Sequence, residues 1–232
     1  MSVQGFLILI ALAIISYKTK ALDLWGTFTA FILGYFILSL GGWLPFLALL
    51  LFLISGTLVT KFKIKEKKKL GLVDEKCRSI GNVLGNGLAP LLFLTYEKFI
   101  GDDYGWAAVF ASIATANADT LASEIGKVLG KNPRIILGFK KAKPGEEGAV
   151  SVQGEMAALF GAAMIAFVST FITNLKLEMF LSILIGGFIG ANVDSLIGAT
   201  LEKKGITNND STNFLSTLIG GFIGLSLFLL FT

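Results

Sequence analysis

The stretch LWGTFTAFILGYFILSLGGWLPFLALLLFLISGTLVT, Leu24 to Thr60, decides the fold class. It carries no charged residue and is far longer than the roughly 20 apolar residues that cross a hydrocarbon core as one helix. Gly41-Gly42 and Pro45 interrupt it, so it reads as two spanning helices joined by a turn. The rest of the 232-residue chain agrees: 54% of residues are hydrophobic, 16% are charged and the mean hydropathy is +0.75. Soluble domains carry about 25% charge. A disordered chain is excluded, and an ordinary soluble enzyme does not fit. The expected class is all-α, a polytopic membrane protein.

Other charge-free stretches extend the pattern: Val3–Tyr17, Ser79–Tyr96, Tyr104–Ala118, Met156–Leu175, Met179–Val193 running on toward Ala199, and Ser211–Thr232. With the central pair they predict about eight transmembrane helices in one integral membrane domain, 1–232. The N-terminus lacks a basic n-region and a small-residue cleavage site, which predicts an anchor rather than a cleaved signal. Lys18 and Lys20, the eight basic residues from Lys61 to Arg78, the six from Lys127 to Lys143, and Lys203 and Lys204 all fall on one side of this topology. Only Lys98 and Lys176 fall on the other. The positive-inside rule then predicts both termini outside and long basic cytoplasmic loops at 61–78 and 127–153.

Histidine is absent, which excludes a histidine general base, a Ser-His triad and histidine metal ligands. The lone Cys77 excludes an intramolecular disulfide and a thiolate-cluster metal site. Chemistry is left to carboxylates, lysines, amides, hydroxyls and backbone. LIGGFIG occurs at Leu184–Gly190 and again at Leu218–Gly224, and its G-x-x-x-G spacing reads as close helix packing. A second near-repeat is more informative. Ala116–Leu121 reads ANADTL and Ala191–Leu196 reads ANVDSL, each at the cytoplasmic end of a predicted helix. Ionisable groups in or near spanning helices are costly and are functional candidates by default. Asp119 and Asp194, with Asn117 and Asn192 two residues before them and Ser195 just after the second, are thus expected to serve one site from two related halves. Paired carboxylates without imidazole or thiolate suit a hard cation, and Mg2+ takes one or two carboxylates, waters and substrate phosphates.

Downstream of Asp119 the chain carries Glu124, then Gly126, Gly130, Gly145, Gly148 and Gly154 interleaved with Lys131, Lys140, Lys141 and Lys143. Glycines allow close backbone approach, and lysines beside carboxylates describe a metal–polyphosphate site. The plain alternative is a solvated loop over anionic headgroups, and that alternative is the one expected for Lys61–Lys69. No Walker A loop is present, since GKVLGKN at Gly126–Asn132 has the wrong spacing, and there is no protein-kinase loop set.

Three segments, D-x-x-A-S-E-x-G-x-x-x-G-K from Asp119, K-P-G-x-E-G-A-V-S-x-x-G from Lys143 and D-S-x-x-G-A-x-L-E from Asp194, resemble the membrane family that includes plant phytyl-phosphate kinase and transmembrane protein 19. More distantly they are similar to dolichol kinase and phytol kinase, which use CTP. Arg78–Gly87, RSIGNVLGNG, resembles the family's amide- and glycine-rich helix. The resemblance implies a nucleotide motif with Asp119 as the better Mg2+ ligand and Glu124 beside it. It implies Lys131, Lys140, Lys141 and Lys143 on the CTP phosphates, with Lys131 catalytic, and a close-approach loop of Gly145, Gly148 and Ser151. Asp194 with Asn192 and Ser195 would complete the metal or polyphosphate shell, and Asp210 and Asn213 would orient the nucleotide. Arg78, Asn82 and Asn86 are candidates for the acceptor phosphate or the base. The expected reaction is CTP-dependent phosphorylation of an isoprenyl monophosphate lipid, with Mg2+, at the cytoplasmic face. A monophosphate acceptor is largely ionised near neutrality and needs no base, consistent with the missing histidines. A prenyl-alcohol or polyprenol kinase, a CDP-lipid synthase and a transporter remain alternatives. Membrane lipids are the other expected partners, and no nucleic acid is.

Overall fold

The computed structural model describes residues 2–73, 77–101, 103–172 and 176–232. It is helical almost throughout: α1 Val3–Lys18, α2 Leu24–Gly41, α3 Trp43–Lys61, α4 Ile64–Lys69, α5 Ile80–Ile100, α6 Gly105–Leu129, α7 Val152–Ser169, α8 Lys176–Ile197 and α9 Asn209–Phe231. A π-helical turn, Gly198–Glu202, continues α8. Two short antiparallel strands, β1 Arg134–Ile135 and β2 Ala149–Val150, tie the base of the loop between α6 and α7.

Local chemistry sets these boundaries. The Asp23 side chain caps α2, its Oδ1 accepting from Gly26 N–H at 2.6 Å. Gly42, at φ +75°, breaks the apolar run between α2 and α3, a backbone state that glycine adopts at little cost. Asn208 caps α9 through a hydrogen bond from Ser211 N–H. The centre of the molecule is α6. Its segment from Ala107 to Ala118 is buried on every side, with α3, α5, α7, α8 and α9 packed around it. Small residues make this possible, because dispersion between closely approaching backbones drives helix association where lipid tails are as apolar as leucine. The two LIGGFIG repeats show the geometry. A Cβ on Gly186 of α8 would lie 2.9 Å from the Gly224 Cα of α9, and Gly190 and Gly220 both face Thr115 of α6.

Among the described residues, five helices are long and apolar enough to cross a membrane: α2, α3, α7, α8 with its π turn, and α9. The eight-span expectation is not reached on that criterion. Each of the eight stretches forms a helix over most of its described length, but α1 has 16 residues, α5 carries Asn82, Asn86, Pro90, Glu97 and Lys98, and α6 carries Asp119, Glu124 and Lys127. The expected end of one helix at Leu175 and the basic residue Lys76 lie outside the described residues. Two loop expectations change. α6 runs to Leu129 and α7 begins at Val152, so both ends of the expected 127–153 loop, including Lys127, are helical. The 61–78 segment contains α4, whose Lys67 is 1% exposed rather than solvated.

Candidate functional site

Asp119 on α6 and Asp194 on α8 lie within electrostatic reach of each other. The matching ANADTL and ANVDSL segments thus bring their two aspartates near each other. Two carboxylates with no assigned role in the sequence reading join them, Glu147 from the β1–β2 loop and Glu202 from the π turn. Both lie inside the family-like segments, where the signal was available. The surrounding elements position each group. Ser216 of α9 donates to Asp194 Oδ2 at 2.8 Å, and Thr212 donates to Glu202 Oε2 at 2.9 Å. Gly148, at φ +73°, lies against the end of α8, where a Cβ would stand 2.7 Å from Ser195 O. This contact seats the KPGEEG loop on the π turn, with Gly148 buried and Glu147 exposed beside it. Insertions of this kind into α-helices recur at functional sites. Partial burial pushes the Glu147 carboxyl above its ordinary range, and Glu202 pushes it further.

The cation at this centre is Lys127, not Lys131. Lys127 is itself bound to Glu124 Oε1 at 2.6 Å. Lys127 reaches Asp119 and Glu147 but is already engaged by Glu124, so the four carboxylates leave an excess of negative charge that a bound cation would relieve. Among the described residues no three carboxylates close on one point as a ready metal cage. The donor set instead fits a cation that takes one or two carboxylates and fills its shell with water and phosphate, the habit of Mg2+.

Glu124 is committed to structure. Its Oε2 accepts from Lys67 at 2.6 Å, and Lys67 also donates to Val59 O and Thr60 O at the C-terminal end of α3. Asn117, 0% exposed, is likewise spent between helices: its Oδ1 accepts from Ser55 and its Nδ2 donates to Gly161 O. Gly126 and Gly130 face Ser151 at the start of α7, and the Ser151 hydroxyl caps that helix by accepting from Gly154 N–H. These glycines serve a helix crossing, not an open phosphate loop. Asn192 donates to Glu155 and to Phe188 O. Lys131, Lys140, Lys141 and Lys143 are exposed along the 131–143 segment, and Gly145 packs over Leu72. Asp210 accepts from Asn82 Nδ2 at 2.9 Å, and Asn213 is buried beside Gly85.

Arg78, Asn82 and Asn86 do come together. All three line a partly open apolar cavity between α1, α2, α3 and α5. Asn82 ties this cavity to the carboxylate centre, since its partner Asp210 opens α9, the helix that also supplies Ser216 to Asp194. Asn86 donates back to Asn82 O.

Comparison with known proteins shows the family. The chain is 37% identical over 208 residues to an uncharacterised membrane protein of Methanocaldococcus jannaschii, covering 89% of this chain and 85% of that one. It is 34% identical over 201 residues to an uncharacterised membrane protein of Synechocystis, covering 84% and 78%. It is 28% identical over 186 residues to the chloroplastic protein VTE6 of Arabidopsis thaliana, covering 77% and 56%. No solved structure matches. The family model for the integral membrane protein DUF92 matches residues 7–221, and the chain therefore belongs to that family, the one its phytyl-phosphate kinase-like motifs pointed to.

Proposed function

We propose that this protein is a CTP-dependent isoprenyl monophosphate kinase that forms the prenyl diphosphate at the cytoplasmic face of the membrane. The observation that carries the reading is that Asp194, Glu147 and Glu202 all lie within electrostatic reach of Asp119, with Glu147 and Glu202 also in reach of Asp194. Phosphoryl transfer is mostly positioning and neutralisation of charge, and such a centre suits a metal–nucleotide complex. Asp119 and Asp194 would hold Mg2+ there, and the ion would supply neutralisation of phosphate charge. Ser216 orients the Asp194 carboxylate and Thr212 the Glu202 carboxylate. Lys131, Lys140, Lys141 and Lys143 sit on the loop above and meet the outer phosphates. The family kinship supports the kinase class, and the choice of CTP rests on the motif resemblance to dolichol kinase and phytol kinase. All eight helical stretches cross the membrane in this reading, with α1, α5 and α6 held inside by their neighbours and both termini outside.

The test is incubation of the purified protein with γ-labelled CTP, Mg2+ and geranylgeranyl phosphate or geranylgeraniol. Label in a prenyl diphosphate is expected. Label in a monophosphate would assign an alcohol kinase, and labelled pyrophosphate with a CDP-lipid a nucleotidyltransferase. No consumption of nucleotide with any acceptor would reject the enzyme reading and leave transport.

A further inference from the structure

The cavity between α1, α2, α3 and α5 has an order along its length. Ser16, Thr27, Leu53 and Asn82 line one end, while Leu9, Gly34, Phe46 and Gly87 line the other. On α1, α2 and α3 these two levels are seven residues apart, so the cavity runs roughly 10 Å along the helix axes. Its wall is almost wholly hydrocarbon, and its polar groups gather toward the Arg78 end. Two of them form no hydrogen bond among the described residues, although Glu124 lies within electrostatic reach of Arg78. The Thr27 hydroxyl is buried with no hydrogen bond. The Arg78 guanidinium forms no hydrogen bond or salt bridge among the described residues and rests 5.4 Å over the Phe52 ring. Buried polar groups are almost always paired, so unpaired ones lining a cavity call for a ligand.

The arginine is also held in place. Its carbonyl accepts from Asp23 N–H at 3.1 Å, and its backbone bridges to Leu22. Its guanidinium occupies the space left by Gly56, where a Cβ would stand 2.5 Å from a guanidinium nitrogen. A fixed guanidinium fork at the head of a hydrocarbon slot matches a phosphate on one apolar chain.

We propose that this cavity is the seat of a single-chain lipid phosphate, with the phosphate on Arg78 and Thr27 and the first part of the tail running down to a floor of Leu9, Gly34 and Phe46. Arg78, Thr27, Leu9 and Gly34 are then specificity-determining residues. The cavity's link through Asn82 and Asp210 to the α9 end beside Asp194 directs the head toward the carboxylate centre. That the chain is an isoprenoid rests on the kinase reading. The seat itself does not, and its test needs no nucleotide.

The probe is a diazirine-tagged geranylgeranyl phosphate, photolysed with the purified full chain in detergent without CTP, and its adducts mapped by mass spectrometry. Adducts on the Leu9, Phe31 and Phe46 peptides are expected, displaced by untagged geranylgeranyl phosphate but not by inorganic phosphate or phosphatidic acid. Arg78→Gln should cut labelling by roughly tenfold or more, and Arg78→Lys by less. Gly34→Leu should fill the floor and shift binding toward shorter chains, because even its Cβ lies 3.0 Å from Leu9. Leu9→Ala should shift it toward longer ones. Adducts confined to the hollow formed by Met156, Leu159 and Phe188 would overturn the proposal. So would equal displacement by phosphatidic acid, or labelling that neither Arg78→Gln nor Leu9→Ala alters. Labelling as expected without any CTP turnover would retain the seat and reject the kinase.

Discussion

The carboxylates of the central site divide by what surrounds them. Asp119 and Asp194 face the shared centre, whereas Glu124, five residues beyond Asp119, is taken by Lys67 and Lys127. Asp119→Asn and Asp194→Asn should each lower turnover by about 100-fold or more while the protein elutes as folded, because a metal-bridging charge is worth several kcal/mol in the transition state. Wild-type activity in either variant would remove that residue from the site. Lys67→Met should act on the fold instead. It strips a buried ion-pair partner from Glu124 and uncaps two carbonyls at the end of α3, so a loss of about 3 kcal/mol or more is expected, read as a fall in thermal midpoint in detergent. The matching hexapeptides made Asp119 and Asp194 legible in the sequence. Lys67 was not legible, because inside KIKEKKK nothing distinguishes the lysine that turns inward from those that meet solvent.

At the level of elements, the π turn and the KPGEEG loop act as one unit. Gly148→Ala places a side chain in left-handed backbone at φ +73° and against Ser195 O. A cost of roughly 1–2 kcal/mol is expected from the backbone alone. Turnover should fall and proteolysis within residues 143–151 should quicken, and an unchanged proteolysis rate would sever the loop from the turn. Glu147 supplies a pH test of the same unit. Its carboxyl is raised above 4.5, so the folded protein holds that proton more tightly than the unfolded chain does. The stabilisation from the protonated form is complete below about pH 4.5 and is lost as pH rises through the raised value. With a chelator present, the thermal midpoints of wild type and Glu147→Gln should agree in acid and separate toward neutrality, with Glu147→Gln the higher. A gap that does not change with pH would count against the cause assigned to the shift. Glu147 and Glu202 were present in quoted motifs, but a loop folding back on a helix irregularity has no periodicity to reveal it.

At the scale of the whole molecule, the charge distribution makes a claim about orientation. The proposed orientation puts both termini outside and Cys77, in the basic 61–78 segment, on the cytoplasmic side. In intact cells a membrane-impermeant maleimide should leave Cys77 unlabelled and should label Thr232→Cys in a Cys77→Ser background. The reverse pattern would invert the topology. Composition and charge-free length by themselves determined the helical membrane class, the turn at Gly41-Gly42 and the positions of the helical stretches, because hydrocarbon burial and backbone satisfaction in lipid are local demands that each segment meets alone. Only the tertiary structure decided which polar residues serve a site and which serve packing. Asn117 and Gly126 went to helix contacts, Lys127 replaced Lys131 at the carboxylates, and Arg78 came to the head of a cavity built by four helices. Those outcomes depend on which helix faces meet, and side-chain packing across α3, α5, α6, α8 and α9 sets that, not any one segment's own sequence.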